Sequence, residues 1–124
     1  MVKKTIVYKK IDCMEAPAPT PALPPEAMRD GAAAAVRLLK MLANEDRLML
    51  LCQLSQGERC VSDLEAALGI HQPTLSQQLA VLRNEGLVST RRDGKNIYYA
   101  IARADVHPLL QTLYGLYCQS KQAD

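Results

Sequence analysis

From residue 26 onward the apolar positions recur at helical spacing, interrupted by glycines and by one stretch of strand-like alternation. Ala27 to Leu42 is rich in Ala and Leu, with Val36, Leu39 and Leu42 at three-residue steps, and predicts a first helix. Gly31 weakens its early part. Asn44 is suited to cap a second helix, with Glu45 and Asp46 in its first turn, where they complement the helix dipole. Leu48, Leu51 and Cys52 share one face of that helix, Leu50 and Leu54 another, and Gly57 ends it. Ser62 and Glu65 have the spacing of a capping box for a short third helix carrying Leu64 and Leu68 and stopping at Gly69. A fourth helix has Pro73 in its first turn, where a missing N–H costs nothing, then the stripe Leu75, Leu79, Leu82, and an end at Gly86. Residues 87–92 and 96–101 read as strands around the turn signal Asp93-Gly94. A last helix is expected from Val106 to Gln119, with Leu109, Leu110, Leu113, Leu116 and Tyr117. The expected fold is mainly α with a small β-hairpin, about five helices and a two-stranded wing.

Residues 1–26 break this pattern. Pro17, Pro19, Pro21, Pro24 and Pro25 fall within nine residues, which favours an extended polyproline arm over helix or sheet. The organisation is therefore a flexible Pro-rich arm over 1–26 and one folded domain over 27–122. The chain has 124 residues, the size of one domain, and 48% hydrophobic residues, enough for a folded core. No apolar run approaches the ~20 residues of a membrane span. The basic start holds an apolar segment of only three residues, too short for a signal peptide. A cytoplasmic protein without a membrane partner is expected. There the four cysteines stay reduced, as ligands, redox thiols or small core hydrophobes.

Helix, glycine turn, helix and hairpin in that order form a winged helix-turn-helix. Opposite the leucine stripe of the fourth helix lie Pro73, Thr74, Ser76, Gln77 and Ala80. Small residues permit close approach to a DNA groove, and Gln can pair bidentately with adenine. Gln72, Thr74, Ser76 and Gln77 are the candidate base-reading residues. The net charge of +2 says little as a total. Residues 72–103, however, hold five Lys or Arg against two acidic residues, while the rest of the chain holds ten against eleven. Arg91, Arg92 and Lys95 flank the hairpin tip and are the candidate phosphate contacts. The alternative is a solvated polar helix and a solubilising hairpin. Tyr98 and Tyr99 are expected to pack the hairpin. His71 lies in the helix-turn-helix turn, where capping is its simplest role. An enzyme would need a Cys–His pair with an oxyanion donor or a phosphate-binding glycine loop. The sequence has no glycine loop or nucleophile elbow, so neither an enzyme nor a cofactor is expected.

Residues 38–48, LLKMLANEDRL, resemble the ArsR/SmtB family of winged-helix repressors, as do Val61-Ser62-Asp63-Leu64, residues 72–79, QPTLSQQL, and residues 82–88, LRNEGLV. The likeness covers roughly residues 30–120. It implies a homodimer joined by the first and last helices, bound to double-stranded operator DNA and released by an inducer. The family's arsenic-type site resembles Cys-Val-Cys-Asp-Leu. Here Cys60-Val61-Ser62-Asp63-Leu64 has Ser62 for one thiolate. With Cys13 from the arm, Cys60 would supply two ligands, the basis of an alternative metal- or arsenite-responsive reading. The family's zinc-type site maps onto Asp105, His107, Cys118 and Lys121, with a cation where a carboxylate belongs. His107 then reads as a helix N-terminal residue.

Cys52 and Cys118, 66 residues apart, match the thiol- and persulfide-sensing branch of the family, the BigR, SqrR and HlyU type. That resemblance implies a repressor relieved by oxidation or sulfur bridging of Cys52 and Cys118, with a reactive sulfur species or oxidant as inducer. The competing reading is that Cys52, on a leucine-rich helix, fills space.

Overall fold

The computed structural model describes residues 22–118. Most of the Pro-rich arm, with Cys13, and residues 119–124, with Lys121, lie outside the described residues. The elements are α1 (Pro25–Leu42), α2 (Glu45–Leu54), β1 (Arg59–Cys60), α3 (Val61–Leu68), α4 (Thr74–Asn84), β2 (Val88–Asp93), β3 (Asn96–Ile101) and α5 (Val106–Tyr117). Helix α1 begins at Pro25, because proline is tolerated in a first turn. Asn44 caps α2 as expected, its Oδ1 accepting the Arg47 backbone N–H at 3.0 Å. Helix α2 ends at Leu54, ahead of Gly57, and the Ser55 hydroxyl donates to the Cys52 carbonyl at 2.6 Å. Gly69 ends α3 in the left-handed conformation, φ +68°, where its N–H reaches the Glu65 carbonyl.

The capping box at Ser62 and Glu65 does not form. Cys60 is the N-cap of α3, in extended backbone, and makes no side-chain cap bond. The reason is the third strand, β1, which pairs Arg59 with Tyr99 and Cys60 with Tyr98. Strand runs directly into helix at Val61, and Ser62 falls inside the first turn. The sheet is therefore three-stranded and antiparallel, in the order β1-β3-β2. Asp93 pairs with Asn96, so the hairpin loop is Gly94-Lys95, with Gly94 at φ +64°.

The core is built largely of leucine. Leu50, Leu51, Leu64, Leu75, Leu79, Leu82 and Leu87 are fully buried with Val106, and Leu38, Leu42, Leu54, Ile70, Val88 and Leu110 complete it. Each fully buried leucine stabilises the fold by about 1.5–3 kcal/mol relative to an exposed one. Helix α1 contributes Leu38 and Leu42, one turn apart, while Val36 and Leu39 point outward, 47% and 52% exposed. The three-residue steps of Val36, Leu39 and Leu42 thus divide between two faces. Among the described residues no helix is long and apolar enough to cross a membrane.

Candidate functional site

Helix α3, the turn and α4 form the helix-turn-helix. Leu75, Leu79 and Leu82 bury one face of α4, which leaves Ser76, Gln77 and Ala80 exposed and Thr74 half-buried on the other. Gln72 holds a local position: its Oε1 accepts the Ser76 backbone N–H at 3.1 Å and so caps α4. The capping role expected of His71 falls to Gln72. The His71 ring is exposed and its Nδ1 lies 3.3 Å from Glu65 Oε2.

On the wing, Arg92 and Lys95 are exposed and make no ion pair among the described residues. Arg91 is engaged. Its Nε and Nη2 donate to the two Glu58 carboxylate oxygens at 2.7 and 2.8 Å. Its guanidinium also lies 4.7 Å from the centre of the Tyr98 ring. The Arg91 hydrogen bond holds the Glu58 carboxyl below the usual carboxylate range, and that bond in turn raises Arg91. Both side chains are solvated, so the pair is open to competition from other charged groups. Arg103, the other basic residue beside the wing, pairs with Asp105 at 2.6 Å.

The three described cysteines separate clearly. Cys60 is buried, 7% exposed, with its Sγ 3.3 Å from the Ser62 hydroxyl. Cys52 and Cys118 are exposed free thiols. Cys52 therefore does not fill space among the leucines of α2. Cys118 follows the last turn of α5, its N–H bonded to the Tyr114 carbonyl at 2.8 Å. Partial burial pushes the Cys52 thiol up, and the charge of Cys118 adds to that push. Beside Cys52 opens a cavity of about 390 Å³ lined by Ser55, Gln56, His107, Leu110, Gln111 and Tyr114. His107 thus faces the same space as Cys52, while Asp105, its neighbour in the zinc-type pattern, is held by Arg103. Among the described residues no group of three or more His, Cys, Asp or Glu side chains is placed to hold a metal ion.

Two side chains escaped the sequence reading. Glu58 precedes a two-residue strand too short to show alternation, and its partner is 33 residues away. Arg47 lies in the stretch that resembles the family, with no role assigned to it from sequence. It in fact bonds to α1 and to α4. Nothing local signals either contact.

A polar, outward-facing helix at the end of a helix-turn-helix, followed by a basic hairpin, defines the winged-helix class of DNA-binding proteins. Residues 44–90 match the model of the bacterial regulatory protein, arsR family. The biofilm growth-associated repressor of Agrobacterium fabrum is 45% identical over 122 residues, 98% of either chain. The crystal structure of the transcriptional repressor BigR from Xylella fastidiosa superposes with a TM-score of 0.73 at 46% identity, covering 77% of this chain and 98% of that one. Reduced HlyU from Vibrio cholerae gives 0.72 at 41% identity, covering 76% and 99%. The chain belongs to the arsR family of bacterial regulatory proteins. It is a DNA-binding transcriptional regulator of the BigR/HlyU-like branch, not an enzyme.

Proposed function

We propose that the protein is a cytoplasmic, homodimeric repressor whose operator binding is relieved when Cys52 and Cys118 are oxidised or bridged by sulfur. The observation that carries this reading is that Cys52 on α2 and Cys118 at the end of α5 are both exposed free thiols, with an open cavity beside Cys52. Closing a disulfide removes two protons and two electrons, which an oxidant or a persulfide donor takes up. The new bond pulls α5 against α2. Helix α2 packs on α4, so the strain reaches the reading head. Thr74, Ser76 and Gln77 read bases, joined by Gln72 once it leaves its cap, while Arg91, Arg92 and Lys95 hold phosphates. The outward apolar residues Val36 and Leu39 of α1 and Tyr114 and Tyr117 of α5 favour a second copy as their cover.

The test treats reduced protein separately with a persulfide donor, a peroxide, zinc and arsenite, and follows intact mass and operator affinity. Loss of affinity with a Cys52–Cys118 bridge is expected from the first two reagents. Release by zinc or arsenite that survives Cys52→Ser and Cys118→Ser would reject the thiol switch. It would turn attention to Cys13 and Cys60.

A further inference from the structure

Arg47, on the first turn of α2, makes three side-chain hydrogen bonds to two other helices. Its Nε donates to the Met41 carbonyl at 2.8 Å and its Nη2 to the Lys40 carbonyl at 3.2 Å. Those carbonyls belong to the last turn of α1, where the helix leaves its C=O groups without internal partners. A cation there also opposes the negative end of the helix dipole. The remaining arm, Nη1, donates to Gln78 Oε1 at 2.9 Å. Gln78 is half-buried on α4, between Gln77 on the outward face and Leu79 in the core. No carboxylate pairs with Arg47 among the described residues. The guanidinium is therefore spent wholly on neutral acceptors, in three directions that only its planar fork can meet together.

We propose that Arg47 is a positioning residue for DNA binding: through Gln78 it locks the reading helix α4 to the C-terminal end of α1, and specific affinity depends on that lock although Arg47 touches no DNA. The leucine stripe of α4 fixes its depth in the core, but apolar packing is non-directional and resists rotation about the helix axis weakly. A directed hydrogen bond from Arg47 to Gln78 supplies that restraint, one residue from the outward Gln77. Bidentate reading of a base edge requires its donors and acceptors in register, so a small rotation of α4 is felt at the bases. Phosphate contacts made by flexible Arg and Lys side chains tolerate the same rotation. The lock should therefore matter for specific binding and not for non-specific binding.

The experiment uses the full chain and two probes: a duplex selected from a random pool by the wild-type protein, and an unselected duplex of equal length. Gln78→Met, Arg47→Met and the double variant are titrated against both probes over a range of salt, well below each variant's Tm. Gln78→Met should weaken binding to the selected duplex about tenfold, within the range that coupled neighbours show. It should leave unselected binding and the salt slope unchanged. The double variant should bind the selected duplex no worse than Arg47→Met, because both substitutions break one bridge. Additive losses would mean that Gln78 meets DNA on its own account and would overturn the proposal. A salt slope lowered by about one in Arg47→Met would make Arg47 a phosphate contact and overturn it as well. So would selected-duplex affinity unchanged in Gln78→Met, a variant that keeps every core leucine.

Discussion

Helices α4 and α1 differ in what they leave outside. Every leucine of α4 is buried, and its outward face is polar or small, with Ser76, Gln77 and Ala80 exposed. Helix α1 buries Leu38 and Leu42 but exposes Met28, Val36 and Leu39, and α5 similarly exposes Tyr114 and Tyr117. The α4 surface is finished with respect to water and is shaped for a polar, charged ligand. The α1 surface leaves large apolar side chains in water. One amphipathic pattern thus has two outcomes: α4 carries a single apolar stripe and α1 carries a second, exposed one, which on the proposed function face DNA and a second copy respectively.

Four sets of measurements test this contrast. The largest effect is expected in the core. Leu79→Ala should cost about 2–5 kcal/mol in chemical denaturation. Leu39→Ala, on the exposed face of α1, should leave monomer stability within about 0.5 kcal/mol and raise the dimer dissociation constant in sedimentation. A Leu39→Ala chain that sediments unchanged would remove α1 from the interface.

Next comes the reading helix. Gln77→Ala should lose about 1–3 kcal/mol of discrimination at one base pair and keep its salt slope. Arg92→Ala and Lys95→Ala should weaken all sequences alike and each lower that slope by about one. An identical pattern in the three variants would erase the division between reading helix and wing.

A smaller effect concerns the thiols. Burial is the larger cause of the raised Cys52 pKa and Cys118 the lesser. Cys118→Ser should therefore lower the Cys52 pKa only part of the way toward an ordinary thiol, shifting the pH profile of its alkylation to lower pH. An unmoved profile would show that the two thiols do not interact.

The smallest effect belongs to the Glu58–Arg91 pair. Its carboxyl pKa is depressed, so the bond is fully present above the ordinary carboxylate range and is lost as pH falls through the depressed value. The Arg91 side-chain NMR signals should follow that titration, and Glu58→Gln should abolish it. At neutral pH Glu58→Gln should also free Arg91 for phosphate and strengthen unselected DNA binding modestly. Weaker binding instead would make the pair a brace for the wing.

Much of this architecture was readable in the chain because it is written locally. The Asn44 cap, the stripe Leu75-Leu79-Leu82, Gly69 and the Asp93-Gly94 hairpin signal each act within a few residues, and the structure has an element at each. The capping box at Ser62 failed for a non-local reason: Cys60 was drawn into a strand by Tyr98, 38 residues away. The thiols show the same division. Sequence and resemblance single out Cys52 and Cys118 as residues of interest, but a leucine-rich helix has room for a buried or an exposed cysteine. Packing left Cys52 outside and buried Cys60 instead.

Local signals set the helices, the hairpin, the polar outward face of α4 and the local excess of basic charge, since periodicity, capping and turn chemistry operate over one or two turns. Packing alone set which stripe of α1 is buried, that Arg91 is held by Glu58, that Arg47 joins α1 to α4, and that Cys52 is exposed where Cys60 is buried. Each of those facts depends on groups far apart in the chain meeting in space, and the packing of the leucine core sets where they meet.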